Sequence, residues 1–209
     1  WNRSLKTSLR FTENIAKLAA RFQSEFLGVK YNIEQRFLFM APELNFNGSF
    51  ENTSPIEYFK LSEGIDIANI YDIIKRVILK YGIHSSDIGV IGATVESLRE
   101  LDYLVRTDLK ERTMTSFEKK EFFDEHNPTG RKLEILRRFK KKYFYMKTGT
   151  MKISTIHSFK GWDIPTLFLI IDDSNAGVNG FTTDELIYTA ITRAQHNLVI
   201  INIASDRYH

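Results

Sequence analysis

The sequence predicts a three-layer α/β domain in which a mainly parallel sheet carries helices on both faces. Short apolar runs of strand length alternate along the chain with segments whose apolar residues recur at helical spacing. One of these runs, DIGVIGA, has the continuous apolar character of a strand buried on both faces. Strands that alternate with helices in this way typically form parallel sheets with crossover helices.

The composition sets broad limits on the class of protein. The chain has 209 residues, 43% of them hydrophobic, which is enough for one large or two small domains with a sizeable core. A net charge of +3 does not by itself indicate a nucleic-acid partner. The absence of cysteine excludes disulfides and thiolate metal sites and favours an intracellular setting. No apolar run approaches membrane-spanning length, and a start at Trp1 leads us to expect a piece of a longer protein.

The first part of the chain contains a helix, an irregular segment, a strand and a second helix. The first helix is predicted to begin at about Thr12, a favourable N-cap, and to end near Leu27. Gly28 to Ser54 is rich in Asn and Gly and is irregular. Pro55 to Ser62 alternates as a strand does, and Gly64 to Tyr81 is helical. The residues predicted to face inward from the two helices are Ile15, Leu18, Ala19, Phe22, Phe26, Ile67, Ile70, Ile74, Val77 and Ile78.

A buried strand and a helix follow. Asp87 to Ala93 is the continuous apolar run, and Thr94 is a suitable N-cap for a helix that reaches about Leu109. The glycines of GVIGAT are spaced differently from those of a phosphate-binding P-loop and lack its lysine. They indicate close packing between the strand and a helix.

The segment from Arg131 to Lys147 is strongly basic. It contains eight Lys and Arg residues and one acid, Glu134, and it includes Tyr143, Phe144 and Tyr145. Bases interleaved with aromatic residues can bind phosphates and nucleobases. The alternative is a solvated helix face whose aromatic residues point into the core. The sequence leaves both open.

Two later stretches carry the strongest functional pattern. Met151 to Ile171 predicts a strand, a polar loop and a second, buried strand. Asp184 to Ile201 predicts a short helix and then a strand from Asn197 to Ile203. Polar residues therefore lie in two loops at the ends of adjacent strands, where open α/β sheets commonly bind ligands. Within the first loop, Gly161 permits a backbone conformation or a close approach that a Cβ would hinder.

These stretches resemble two helicase motifs. T-x-H-S-x-K-G at Thr155 to Gly161 and A-x-T-R-A at Ala190 to Ala194 are similar to motifs V and VI of superfamily I helicases of the UvrD/Rep/PcrA group. The segment Leu5 to Thr12 resembles motif IV, with Ser8 and Leu9 in place of the usual Asn-Tyr. The resemblance implies the C-terminal RecA-like motor domain of an ATP-dependent DNA helicase or translocase, and with it a cytoplasmic, bacterial nucleoid-associated location.

The resemblance also implies roles for individual residues. Motif VI makes Arg193 the candidate catalytic arginine that contacts the γ-phosphate, and motif IV adds Arg10. Asp163 stands where the family has a glutamate that contacts the nucleotide sugar, and Trp162 stands where it has leucine. The predicted ATP-binding residues are Lys160, Gly161, Asp163 and Thr192, and the predicted DNA-binding residues are Thr155, His157 and Ser158. No metal site is predicted in the chain.

The remaining parts of the motor are expected on another segment. The sequence contains neither G-x-x-x-x-G-K-[ST] nor a Walker B acid pair at the end of an apolar strand. The resemblance therefore implies a P-loop NTPase-type fold without its own P-loop, and an N-terminal RecA-like lobe of the same protein that binds most of ATP and Mg²⁺. Single-stranded DNA would cross both lobes. The whole chain, 1–209, is then one motor domain with a short helical insertion at about 110–148, and it is not expected to hydrolyse ATP alone.

Two other functions are open. One is a non-catalytic nucleic-acid-binding module that kept the helicase fold. The other is an unrelated small-molecule enzyme that uses His157, Asp172 and Asp173, which requires a closed polar pocket within this chain.

Overall fold

The centre of the molecule is a six-stranded parallel sheet. The computed structural model describes residues 12–28, 56–61, 66–172, 183–203 and 206–208. The strand order is β1-β6-β5-β2-β4-β3, and every neighbouring pair is parallel. The strands are β1 (Ile56–Leu61), β2 (Ile88–Gly92), β3 (Thr113–Thr115), β4 (Met151–Thr155), β5 (Ile164–Asp172) and β6 (Ala194–Ile203).

Helices connect the strands and cover the sheet. They are α1 (Glu13–Phe22), which continues into a π-helical turn at Gln23–Leu27, α2 (Ile67–Tyr81), α3 (Val95–Thr107), α4 (Lys120–His126), α5 (Gly130–Lys142), α6 (Ile156–Phe159) and α7 (Thr183–Ile191). A 3₁₀ turn at Ser85–Asp87 precedes β2. Within the described part of the chain, every helix is too short or too polar to cross a membrane.

Two hydrophobic cores lie on opposite faces of the sheet. Residues from α1, α6 and α7 form one core, and residues from α2 and α3 form the other. The central strands contribute alternately to both, as Ile91 and Val90 of β2 and Leu169 and Phe168 of β5 illustrate. The predicted three-layer α/β architecture is therefore confirmed.

The predicted elements of the first part agree with the structure where it is described. Thr12 occupies the N-cap position of α1 with an extended backbone, but its side chain makes no capping hydrogen bond. Ile15, Ala19 and Phe22 are buried as predicted. The predicted irregular segment falls almost entirely on residues 29–55, outside the described part of the chain.

The two glycines of β2 are packing positions. A Cβ at Gly89 would lie 3.0 Å from Cγ2 of Ile164, and one at Gly92 would lie 3.4 Å from Cδ2 of Leu98 in α3. Both glycines belong to a strand whose five residues are all buried. The predicted packing of strand against helix is therefore confirmed at Gly92, whereas Gly89 packs against the neighbouring strand β5.

The stretch between α3 and β4 is not wholly helical. Thr113–Thr115 forms the edge strand β3, which pairs with β4, and only then do α4 and α5 follow. A three-residue strand of polar and apolar residues has too short a pattern to be recognised in the sequence.

A buried ion network ties this insertion to the body of the domain. Glu118 has a fully buried side chain and accepts hydrogen bonds from Nη1 of Arg99 in α3, at 2.6 Å, and from Nε and Nη2 of Arg137 in α5, at 2.9 and 2.8 Å. The guanidinium of Arg99 also lies 3.6 Å from the ring centroid of Phe123 in α4. Burial raises the pKa of Glu118, but the hydrogen bonds from Arg137 and the backbone, with both guanidinium charges, outweigh it and lower the pKa.

Candidate functional site

The segment between β4 and β5 runs from the carboxyl ends of the strands to their amino ends. These two sides of the sheet are called the carboxyl edge and the amino edge below. Thr155 pairs with Gly92 at the carboxyl end of β4, whereas Ile164 begins β5 at the opposite edge. Because Ile91 pairs with Leu169, Thr155 is level with the residue after Leu169, about 20 Å along the strand direction from Ile164. The connection includes α6, whose Ile156 and Phe159 are buried in the core that α1 and α7 share.

The two predicted polar loops do meet, but at the amino ends of their strands. Residues 160–163 directly precede β5, and Thr192 and Arg193 directly precede β6. The strands are neighbours, and the backbone N–H of Ile164 donates to the carbonyl oxygen of Arg193 at 3.0 Å. In open α/β sheets, ligands commonly bind at the carboxyl edge. Here the two polar loops meet at the amino edge, because the segment between β4 and β5 brings residues 160–163 to that side of the sheet.

Arg193 is held by the carboxyl end of α7. Its Nε donates to the carbonyl oxygen of Thr189 at 3.1 Å, and its Nη2 donates to Oγ1 of Thr192 at 3.3 Å. Helix carbonyls that lack an intrahelical partner attract a cation at this end of a helix. The carbonyl of Thr189, which sequence reasoning did not single out, therefore helps to orient the guanidinium, and the signal for it was the position of Arg193 just after a helix.

Arg193 also forms an ion pair with Asp163. Its Nη1 lies 3.5 Å from Oδ1 of Asp163, and the two side chains are 14% and 25% exposed. Thr192 is buried, and its hydroxyl donates to the carbonyl oxygen of Thr189 at 2.9 Å. Asp163, Thr192 and Arg193 therefore lie together. Thr192 orients the guanidinium of Arg193 through a hydrogen bond.

Residues 160–162 form an exposed turn beside this pair. Gly161 has a φ of +95°, a conformation that favours glycine, and a Cβ there would have no atom within 4 Å. The glycine is therefore required by the backbone conformation and not by crowding. Lys160 is exposed, and Trp162 is 36% exposed, so the tryptophan lies at the surface and not in the core.

The predicted DNA-binding residues lie at the other edge. Oγ1 of Thr155 accepts from the backbone N–H of Ser158 at 3.4 Å and donates to Oγ of Ser158 at 2.9 Å, which caps α6. His157 is partly exposed on the same turn. The structure therefore separates the two predicted sites and links them through α6 and residues 160–163.

The other predicted residues contribute less. Arg10 and Asp173 lie outside the described residues. Asp172 ends β5 and is buried. No three His, Cys, Asp or Glu side chains in the described ranges are arranged to hold a metal ion.

The small-molecule-enzyme alternative required a polar pocket around His157 and Asp172. A cavity of about 1100 Å³ lies between β1 and α2, and neither residue lines it. Its lining comes from residues such as Phe59, Arg76 and Leu79. This cavity is therefore not the pocket around His157 and Asp172 that the alternative requires.

The residues at the amino edge suit a polyphosphate. Phosphate oxygens are bound by Arg and Lys side chains, and the planar guanidinium can contact two of them. Arg193 and Lys160 supply such groups on adjacent loops. This charge fits the nucleotide that the sequence resemblance implies.

Part of the chain is similar to known helicase sequences. The family of UvrD-like helicase C-terminal domains matches residues 151–201, a range that contains both loops. The mitochondrial ATP-dependent DNA helicase HMI1 of Saccharomyces cerevisiae is 40% identical over 60 residues, which are 28% of this chain and 8% of that protein. Among solved structures, the C-terminal domain of a possible DNA helicase from Lactobacillus plantarum WCFS1 is 12% identical over 72% of this chain and 74% of its own, with a TM-score of 0.40.

Proposed function

We propose that this chain, which carries the UvrD-like helicase C-terminal domain at residues 151–201, is the second motor lobe of an ATP-dependent DNA helicase or translocase. In the intact protein, ATP lies between this lobe and an N-terminal RecA-like lobe that carries the P-loop and most of the Mg²⁺ site. Single-stranded DNA crosses both lobes.

The observation that carries the proposal is the placement of Arg193. Its guanidinium is oriented by the end of α7 yet stays partly exposed, beside the loop that ends in Asp163. Negative charge on the transferring phosphoryl group is stabilised by an arginine that stays charged and is already oriented. An arginine supplied by the second lobe acts only when the lobes close, which couples hydrolysis to motion.

Asp163 restrains this arginine between cycles. The closest distance of the ion pair, 3.5 Å, is longer than that of a charge-assisted hydrogen bond, and both side chains keep some contact with solvent, at 14% and 25% exposure. Exchange of the carboxylate for a phosphate is therefore energetically easy. Because aspartate is one methylene shorter than the glutamate in the family pattern, we assign Asp163 to Arg193 and not to the nucleotide sugar.

The segment between β4 and β5 links ATP to DNA. Thr155, His157 and Ser158 form the turn that contacts the DNA backbone, and the same segment ends at Asp163 beside Arg193. Its middle is anchored by the buried Ile156 and Phe159. A displacement at the nucleotide edge therefore moves the DNA-binding turn through a short, packed connection.

The rival function is the non-catalytic binding module. It shares the fold and the DNA-binding turn but needs no arginine directed at a phosphate. The hydrogen bonds that orient Arg193 favour the motor. The cytoplasmic location stays a prediction.

Substitution of Arg193 tests the motor. In the intact protein, Arg193→Ala is expected to abolish DNA-stimulated ATP turnover and to leave ATP binding largely unchanged. Arg21→Ala is the matched control, because Arg21 is 80% exposed on α1 and its loss should change neither. Normal turnover by Arg193→Ala would remove the arginine from the mechanism.

A further inference from the structure

We propose that the exposed face of α5 is a second contact surface for single-stranded nucleic acid, on which Phe139 and Tyr143 stack against bases. This inference rests on the proposed function for the identity of the ligand. It concerns residues outside all three helicase motifs.

The outer face of α5 is apolar where a solvated helix would be polar. Ile135, Phe139 and Tyr143 recur every four residues and therefore share one face of the helix. They are 45%, 55% and 58% exposed, and α5 has no buried residue. Large aromatic rings held in water on one face of a helix indicate a binding surface.

Positive charge surrounds this stripe. Arg131, Lys132, Lys141 and Lys142 are exposed and have no carboxylate partner among the described residues. The acid of α5, Glu134, is already paired with Arg138 at 3.0 Å. A ligand that offers both flat rings and regularly spaced negative charge matches this surface, and single-stranded nucleic acid offers both.

The aromatic residues of the basic segment are divided between the core and the surface. Phe144 is 2% exposed and packs in the core, but Tyr143 and Tyr145 beside it are 58% and 54% exposed. The aromatic residues therefore do not all point inward. Nζ of Lys142 lies 6.0 Å from the ring centroid of Tyr143, so charge and ring are already adjacent.

The helix is both anchored and close to the DNA-binding turn. Arg137 fixes its inner side to the buried Glu118. At its carboxyl end, the ring of Phe144 lies 6.2 Å from that of Phe159, the last residue of α6, in an edge-to-face arrangement. Since α6 begins directly after Thr155, one strand of nucleic acid can contact that turn and then α5.

The test measures binding of two probes to the intact protein by fluorescence anisotropy at low salt. One probe is a labelled oligothymidylate, and the other is an abasic strand of equal length, which has the same phosphates but no bases. Phe139→Ala/Tyr143→Ala is expected to weaken binding of oligothymidylate by at least about fivefold, the lower limit for one lost base stack. Binding of the abasic strand should stay unchanged. Tyr81→Ala, which removes an exposed aromatic residue from α2, is the control and should change neither.

Three results would overturn the inference. Unchanged binding of oligothymidylate would do so and would point to a protein partner for α5. Equal losses of affinity for both probes would show that the substitutions act through charge or folding and not through base stacking. If the wild-type protein bound neither probe, single-stranded nucleic acid would be excluded as the ligand of α5.

The ATP turnover of the same samples separates this inference from the proposed function. Stimulated turnover with normal binding by the double variant refutes the α5 surface alone. Stacking without any turnover refutes the motor and leaves the surface in place.

Discussion

The buried network around Glu118 gives a quantitative prediction for stability. Glu118→Gln keeps the shape of the side chain but removes its charge. Arg99, with a side chain only 8% exposed, then loses its ionic partner, and Arg137 loses a bidentate one. The variant is therefore expected to be less stable than the wild type.

The magnitude follows from burial. Removal of one partner from a buried ion pair lowers stability by about 3–5 kcal/mol, because the remaining charge is left uncompensated. The amide oxygen of glutamine can still accept a hydrogen bond, which places the expected loss near the lower limit, about 3 kcal/mol. This is a large part of the total stability of a typical domain.

Urea unfolding at neutral pH measures the effect. Glu134→Gln is the matched control, since that pair with Arg138 is exposed by 63% and 77% and is worth at most about 0.5 kcal/mol. A loss for Glu118→Gln no greater than that of Glu134→Gln would refute the view that the network anchors the insertion.

Two further predictions concern Lys152 and His157. Lys152 is fully buried on β4. Its Nζ donates to Oγ1 of Thr148 at 2.9 Å and to the carbonyl and hydroxyl oxygens of Thr150. Burial lowers the pKa of Lys152 to about 8. Because the unfolded lysine keeps its proton up to a pKa of about 10.4, stability should rise with pH between these two values. Lys152→Met should lack that rise, and equal pH profiles in urea unfolding would contradict it. His157→Ala in the intact protein should weaken binding of single-stranded DNA, whereas Arg21→Ala, at an exposed residue of α1, should not; unchanged anisotropy titrations for His157→Ala would exclude it from the DNA track.

Much of the fold could be predicted because its strands are contiguous apolar runs. The run that became β2 is buried throughout, and so is β5 apart from Pro165. Continuous apolar runs of this kind are typical of strands covered on both faces. The amphipathic periods of α1 and α2 were equally informative, since their apolar residues form the two cores.

Other features depend on contacts between distant residues. The burial of Glu118 cannot be inferred from its polar neighbours, because it is stabilised by arginines 19 residues away on each side. The outward direction of Tyr143 follows from the anchoring of Phe144 on Phe159. The motif residues were identified from the sequence, but their division between two edges of the sheet required the register of β4, β2 and β5.

The most direct test of the account is DNA-stimulated ATP hydrolysis by the intact protein, measured beside this 209-residue chain alone. We expect single-stranded DNA to stimulate turnover by the intact protein, and the chain alone to show none with or without DNA. Absence of turnover in the intact protein, with DNA binding preserved, would contradict the motor and favour the non-catalytic module.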